Sequence, residues 1–414
     1  MDENRPVKIK IEDLVLIFGK KKEKALQMLK QGKTKKEILE ATQCTIGVSG
    51  ASFEILENEF FVIMGLSGSG KSTLLRCLNR LIEPTAGSVY INGDDITRKT
   101  HKELLDLRRT EMSMVFQKFG LLPHRTIIEN IAFGLEIRGE DAEIRKEKAQ
   151  IALDTVGLRG FEDQYPAQLS GGMQQRVGLA RALTNSPEIL LMDEAFSALD
   201  PLIKTEMQDE LIALQEKFKK TVVFITHDLD EAIKLGDRIA IMKDGVVEQI
   251  GSAEEILTNP ATEYVEAFVK KVDRKTIITA GTLMHAKPTV ARLGKDGPEG
   301  TLRKMRATGL DVLPVVNDQQ IFMGFVWVKD AIQCAKEKEK TIHKILLSDV
   351  PSVTTEVTVE EMLPLISATR SPIAVVDGEE KRLLGIVTQN SLIIEATRFD
   401  EQDIQDLKEQ ANNS

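Results

Sequence analysis

Phe60-Phe61-Val62-Ile63-Met64-Gly65-Leu66-Ser67-Gly68-Ser69-Gly70-Lys71-Ser72-Thr73 decides the fold class of this chain. Its five leading apolar residues read as a strand buried on both faces. A glycine-rich loop follows, and Leu74, Leu75, Leu78 and Leu81 then recur at helical spacing. Strand, loop and helix in that order make Gly65-x4-Gly70-Lys71-Ser72 a phosphate-binding loop. Its backbone N–H groups wrap an anion, and glycine permits both the close approach and the unusual dihedrals. Lys71 places a cation between the terminal phosphates, Ser72 offers a hydroxyl to Mg2+, and the helix points its positive dipole end at the anion.

Further apolar runs also end in polar groups. Ile189 to Met192 ends in Asp193-Glu194, Val222 to Ile225 in Thr226-His227-Asp228, and Ile239 to Met242 in the turn Lys243-Asp244-Gly245. Strands alternating with helical segments indicate an α/β sheet, parallel at its centre. Open sheets of that kind bind ligands at the carboxyl ends of their strands. Asp193 is placed as a second Mg2+ contact, and Glu194 as a carboxylate that polarises a water for attack on a terminal phosphate. Leu169-Ser170-Gly171-Gly172-Met173-Gln174-Gln175-Arg176 opens an amphipathic helix with bare N–H groups and a serine hydroxyl, a second anion site. Two phosphate-gripping helix ends on one chain point to two copies sharing each nucleotide.

The whole-chain numbers narrow the class. A length of 414 residues predicts two or more domains. With 42% apolar and 29% charged residues the chain is an ordinary globular one, able to bury sizeable cores. A net charge of −9 disfavours a general nucleic-acid binder. Cys44, Cys77 and Cys334 are far apart, which is neither a disulfide framework nor a metal-site spacing and fits a reducing compartment. The polar start Met1 to Lys10 lacks the apolar core of a signal peptide, and no run of about 18 apolar residues would span a membrane.

Residues 20 to 45 read as a separate helical segment. Lys20 to Gln31 carries Ala25, Leu26, Met28 and Leu29 and stops at Gly32; Thr34 with Glu37 forms a capping box before Ile38. Its lysines (Lys20 to Lys22, Lys24, Lys30, Lys33, Lys35, Lys36) read first as a solvated helix face and second as a surface for anionic lipid. From about Val272 a repeat of about 60 residues sets in. Leu313-Pro314-Val315-Val316, Gly324-Phe325-Val326 and Lys329-Asp330-Ala331 match Ile373-Ala374-Val375-Val376, Gly385-Ile386-Val387 and Asn390-Ser391-Leu392. Each unit reads as strand, turn, second strand after the glycine, then helix, with a further helix ahead of it at Leu302 to Ala307 and at Val359 to Ile366.

The combined motifs resemble the ATP-binding cassette (ABC) family over about Val7 to Val272. Gly65 to Thr73 is similar to Walker A, Ile189 to Glu194 to Walker B, and Leu169 to Gln174 to the family's signature motif. Gln117 after Met114-Val115-Phe116 resembles the Q-loop, Ser197-Ala198-Leu199-Asp200 the D-loop, His227 the switch histidine, and Phe18 the aromatic residue that stacks on adenine. The resemblance implies an α/β P-loop ATPase domain with a RecA-like core, an antiparallel β subdomain and a helical signature subdomain. It implies ATP and Mg2+ as ligands. Gly65, Leu66, Ser67, Gly68, Ser69, Gly70, Lys71, Ser72 and Thr73, with Phe18, would bind the nucleotide. Ser170, Gly171, Gly172, Gln174 and Asp200 would contribute from the other half of a homodimer. Glu194 would be the general base, His227 would hold the γ-phosphate and the water, Gln117 would sense nucleotide and Mg2+, and Ser72, Gln117 and Asp193 would contact the metal.

The inserted helices and the wordings Ile63 to Ser67, Arg80 to Thr85 and Met192 to Leu202 resemble the ATP-binding subunits of glycine betaine/proline betaine importers. That resemblance implies a peripheral subunit on the cytoplasmic face of the cell membrane. Its partners would be an integral membrane permease, received near Phe119, Leu121, Leu122 and Pro123, and a substrate-binding protein or domain. An importer of another small solute and a soluble ABC protein without a permease are the rival readings. The repeat resembles a tandem α+β pair of cystathionine-β-synthase (CBS) domains. The domain boundaries expected are 1–272 for the cassette, 279–338 and 342–398 for the two CBS units, and 399–414 for an acidic tail. The pair departs from the usual ribose motif. Trp327 stands where Ser or Thr is expected before Asp330, and Ser391 replaces the Asp after Thr388. The resemblance implies an adenine nucleotide for such pairs, and three readings stay open here: cyclic di-AMP or another adenine nucleotide, dimerisation without a ligand, and ionic-strength sensing through Lys336, Lys338, Lys340 and Lys344.

Overall fold

The structure is a computed structural model that describes residues 5–116, 120–197, 199–270, 275, 277–369 and 371–392. Gln117, Phe119, Ala198 and the acidic tail therefore lie outside the described residues. The chain divides into two compact units, Met1–Val272 and Asp273–Ser414.

In the first unit the run Phe60–Met64 is a strand with every residue buried, at an inner position of a six-stranded sheet. The order across that sheet is Val246–Gly251, Arg238–Lys243, Phe60–Met64, Thr221–Thr226, Ile189–Asp193 and Met112–Val115. All pairings are parallel except the one at the Val246–Gly251 edge. Continuous apolar runs are what strands covered on both faces require. The four-residue-spaced leucines of Lys71–Leu78 enter one apolar core that also takes residues from a second, antiparallel sheet. That sheet runs Thr45–Leu56, Val7–Phe18, Ala86–Ile91 and Asp94–Asp95. Helices Ile127–Ile137, Ala142–Thr155 and Gly171–Thr184 pack on one another as a separate helical layer. The expected mixed α/β cassette is the observed one.

The insertion forms helices Lys22–Lys30 and Lys35–Thr42. Thr34 and Glu37 make the expected capping box, with the Thr34 N–H donating to the Glu37 carboxylate at 2.8 Å. Ala25 and Ile38 are buried with Val15, Ile17, Cys44 and Ile46, so the insertion has its own small core against the strand ends.

The second unit shows the repeat as two half-sheets. Ala291–Arg292 lies parallel to Val312–Val316, which pairs antiparallel with Phe322–Trp327 before helix Val328–Lys336. Ser352–Val353, Ile373–Val376 and Leu383–Val387 repeat the arrangement, with His285–Ala286 added at the edge. The second strands begin before their glycines rather than after them. Gly324 and Gly385 lie inside strands; a Cβ at Gly324 would stand 2.2 Å from the Leu347 carbonyl oxygen. The halves are stitched together: the Phe322 N–H donates to Lys381 O at 2.9 Å and the Leu383 N–H to Gln320 O at 3.1 Å. Phe325 is buried against Ala374, Val376 and Ile386 of the other half.

Candidate active site

The carboxyl ends of three adjacent parallel strands bring the candidate catalytic side chains together. Phe60–Met64 delivers the phosphate loop, Ile189–Asp193 delivers Asp193 and Glu194, and Thr221–Thr226 delivers His227. Gly70 caps the helix at φ +101°, where a Cβ would also lie 2.3 Å from Gly47 O, so the sequence needs glycine there. Lys71 is buried. Its ammonium donates to Gly65 O at 2.8 Å and Leu66 O at 3.1 Å and stands 3.9 Å from Glu194 Oε1. Burial pushes its pKa below the ordinary lysine value, while Glu194 and Asp193 pull it back up.

Glu194 Oε2 lies 3.8 Å from His227 Nδ1, so one carboxylate faces both the loop lysine and the histidine. Its backbone sits at φ +46°, a left-handed conformation that costs a non-glycine residue about 1 kcal/mol or more and that concentrates at functional sites. The Glu194 N–H is fixed on Ile225 O at 3.2 Å. Ser72 Oγ donates to Asp193 Oδ1 at 2.7 Å, and Arg76 lies 3.3 Å from Asp193 Oδ2. A hydroxyl and a carboxylate in contact at a helix N-terminus are a fitting oxygen donor set for Mg2+, which takes few protein ligands and shares the rest with phosphates. Ser69 Oγ is buried in the loop with no hydrogen-bond partner, a polar atom that an anion in the loop would satisfy.

Phe18 ends its strand half-exposed beside the loop. A Cβ built on Gly47 would be 2.9 Å from the Phe18 ring and 3.0 Å from the Thr73 methyl, so ring and loop helix flank the same backbone point. Leu66, Ser67 and Gly68 form the exposed outer turn of the loop. The signature residues are elsewhere. Ser170 caps helix Gly171–Thr184 through Met173 N, and the Gln174 amide donates to Pro166 O and Leu169 O. Gly172 packs against Ile203, and Asp200 caps helix Pro201–Phe218 by accepting from Ile203 N at 3.1 Å. Among the described residues no hydrogen bond or ion pair joins Ser170 to Gln174 with Gly65 to Thr73.

The apolar loop expected to meet a partner is partly an internal anchor. Leu121 and Leu122 are half-buried. Asn130, fully buried, accepts from Leu122 N and donates to the carbonyls of Leu122, Arg125 and Thr126. The exposed apolar residues beside it are Leu81 and Phe116, at the rim of a cleft of about 250 Å3 with Arg108, Met114 and Phe133.

Sequence reading missed several residues around the site. Arg76 holds Asp193, and Lys204 holds the residues that follow His227: its ammonium donates to Asp228 at 2.5 Å and is 3.0 Å from Glu231. Glu231, buried, accepts from Thr226 Oγ1, which in turn accepts from Asp228 N at 2.9 Å. The sign of charge at positions 204 and 231 was visible, but their 27-residue separation hid the pairing.

Comparison with known proteins fits this geometry. The ABC transporter family matches residues 48–197 and the CBS domain family residues 342–397. The glycine betaine transport ATP-binding protein OpuAA of Bacillus subtilis is 54% identical over 94% of this chain and 93% of its own length. The chain belongs to the ABC transporter family of ATP-binding proteins. The glycine betaine/carnitine transport ATP-binding protein GbuA of Listeria monocytogenes is 53% identical over 93% of this chain and 96% of its own. ProV of Escherichia coli, a glycine betaine/proline betaine transport system ATP-binding protein, is 45% identical over 94% and 97%. Among solved structures, a dimeric post-hydrolysis ATP-binding cassette bound to ADP and Pi matches 59% of this chain and 98% of its own, with 34% identity and a TM-score of 0.51. Membership of this ABC family implies ATP and Mg2+ as its ligands. Among the described residues no helix is long and apolar enough to cross a membrane.

Proposed function

We propose that this chain is the ATP-hydrolysing subunit of an importer for glycine betaine or a related osmoprotectant. The observation that carries the ATPase reading is the Glu194 carboxylate, held between Lys71 and His227 at the ends of adjacent strands. In the reaction, a water oxygen attacks the γ-phosphorus and the bond from that phosphorus to the β–γ bridging oxygen breaks. Glu194 accepts the water's proton. His227 orients the water, and Lys71 offsets charge on the terminal phosphates. Ser72 and Asp193 would hold Mg2+, which would supply electrostatic stabilisation of the phosphates when bound. Gln117 takes the sensing role that the family resemblance implies.

The nucleotide reading calls for a second copy. Among the described residues Ser170, Gly171 and Gly172 make no hydrogen bond or ion pair with the loop of their own chain, and a related cassette is dimeric. Ser170 to Gly172 would close over the partner copy's ATP, with Gln174 holding the carbonyls of Pro166 and Leu169 just ahead of them and Asp200 capping the helix whose Ile203 packs on Gly172. The rim of Leu81 and Phe116 suits an apolar segment of a membrane permease. Osmolyte import is supported by relatives that align through both units and whose names specify glycine betaine. A substrate-binding protein or domain would complete the importer, and the chain would work at the cytoplasmic face of the membrane.

For the C-terminal pair we propose an adenine nucleotide, cyclic di-AMP among them, as the ligand. The usual ribose carboxylate is missing from the second half, where Thr388 and Ser391 hydrogen-bond each other at 3.1 Å. A dinucleotide spanning two copies needs less from each. Cyclic di-AMP titrated against the full chain should bind with micromolar or tighter affinity; no saturable binding rejects this part. The test of the main reading is Glu194→Gln in the complex with its permease. ATP binding should persist and hydrolysis fall at least a hundredfold; vigorous turnover would sink the assignment. Uptake of labelled betaine by the reconstituted wild type separates this importer from one for another solute.

A further inference from the structure

Lys35 leaves the pattern expected of its neighbours. It lies in the lysine-rich insertion, yet its ammonium turns inward and donates to Ile46 O at 3.1 Å. It also stands 3.1 Å from where a Cβ of Gly245 would be. Burial lowers its pKa from the ordinary lysine value, and Asp244 opposes that. Partial burial of an ammonium costs free energy that its hydrogen bond to Ile46 O offsets.

The contact it makes is one residue from the backbone that backs the nucleotide site. Ile46 precedes Gly47, and Gly47 is crowded both along its Cβ direction and at its carbonyl oxygen. Its Cβ direction faces the Phe18 ring and the Thr73 methyl, 2.9 and 3.0 Å from a Cβ placed there. Its carbonyl oxygen is 2.3 Å from the Cβ position of Gly70 and 2.7 Å from that of Gly245. Gly245 donates its N–H to Ser69 O at 2.7 Å, and Ser49 donates its N–H to Gly245 O at 2.8 Å. One short backbone stretch thus backs both the aromatic side and the phosphate side of the site. The insertion grips that stretch at Ile46, both through the ammonium and through the core of Ala25, Ile38, Cys44 and Ile46.

We infer that Lys35 is a positioning residue for nucleotide binding, through which the helical insertion sets the backing of the phosphate loop and adds a positive charge behind it. The inference rests on the ATPase reading above. It assigns Lys35 to affinity and not to chemistry, because the ammonium touches neither Glu194 nor His227 among the described contacts.

The test compares wild type, Lys35→Met and Lys35→Arg in the full chain assembled with its permease, by steady-state hydrolysis over a range of Mg-ATP concentrations. Lys35→Met should raise KM about tenfold with kcat within twofold of wild type. Lys35→Arg, which keeps a donor and the charge, should return KM to within twofold. A KM unchanged by Lys35→Met, or an equal loss in Met and Arg variants, overturns the inference, as does a fall in kcat at constant KM. Should Lys35→Met fail to fold, Lys35→Gln carries the test: about a threefold rise in KM is expected, and a wild-type value refutes. A wild type that hydrolyses no ATP instead refutes the ATPase reading itself.

Discussion

Lys204→Met should destabilise the cassette, and Glu231→Gln should partly repair it. Glu231 is 5% exposed and Lys204 is its cation at 3.0 Å. Removing one partner of a buried pair costs about 3 to 5 kcal/mol because a charge is left uncompensated. Here the Lys204 side chain is 23% exposed, and Glu231 keeps Thr226 and Gln208 as donors. The expected loss is therefore smaller, about 2 to 3 kcal/mol. For a unit of this size that lowers Tm by about 5 to 10 °C. Neutralising Glu231 in the same chain should recover at least about 1 kcal/mol, the scale of coupling between contacting residues.

The assay exploits an accident of composition. Trp327 is the sole tryptophan and belongs to the C-terminal unit. Its fluorescence reports that unit, whereas far-UV circular dichroism reports both. Lys204→Met should move the dichroism transition and leave the fluorescence transition in place. The sign with pH is also fixed. Burial raises the Asp228 pKa, but the Lys204 hydrogen bond and charge outweigh it, so the folded value lies below the ordinary carboxylate range. That contribution is complete above the unfolded value of about 3.9 and fades as pH falls through the lower folded value. The gap between wild type and variant should narrow below about pH 4. A loss under about 0.5 kcal/mol, or a double variant no more stable than Lys204→Met alone, would refute the reasoning.

Other substitutions test other parts. Gly70→Ala forces a Cβ to 2.3 Å from Gly47 O at a left-handed φ, so Mg-ATP binding by the purified chain should drop at least tenfold; wild-type affinity would contradict the loop geometry. Asn130→Ala removes the buried amide that ties down Leu122 to Thr126, at about 1 to 3 kcal/mol. Limited proteolysis should then cut that loop faster than in wild type, and unchanged cutting argues against the anchor. Burial pushes the Cys77 thiol up to about 12, so alkylation at pH 8 should label Cys77 only on unfolding; rapid native labelling, read by mass spectrometry, would be inconsistent with the packing.

What could be read in advance was local. The strand–loop–helix at Phe60 to Leu78 is legible because the phosphate-loop chemistry dictates its residues in one short stretch. The Thr34–Glu37 capping box is legible for the same reason, three residues apart. The inward turn of Lys35 was not, since a long flexible side chain goes where tertiary packing places an acceptor within its reach. Lys20 to Lys36 look alike in sequence; only the Ile46 carbonyl beside Lys35 distinguishes it. Leu122 read as exposed because its neighbours are apolar, and Asn130, eight residues on, was not identifiable as the polar group that holds it. Gly324 and Gly385 marked strand starts in the repeat, whereas they relieve crowding inside the strands.

The stitching of the two C-terminal half-sheets has a consequence for how this region can be cut. Phe325 of the first half is covered by Ala374, Val376 and Ile386 of the second, and the backbone bonds Phe322 to Lys381 and Leu383 to Gln320 cross between them. A chain ended after the first half would expose an aromatic ring and leave the Phe322 N–H and the Gln320 carbonyl unpaired at once. The pair is thus a single removable block: a deletion series should skip from the whole pair to none, and a half-length version would be an aggregating species, not a simpler control.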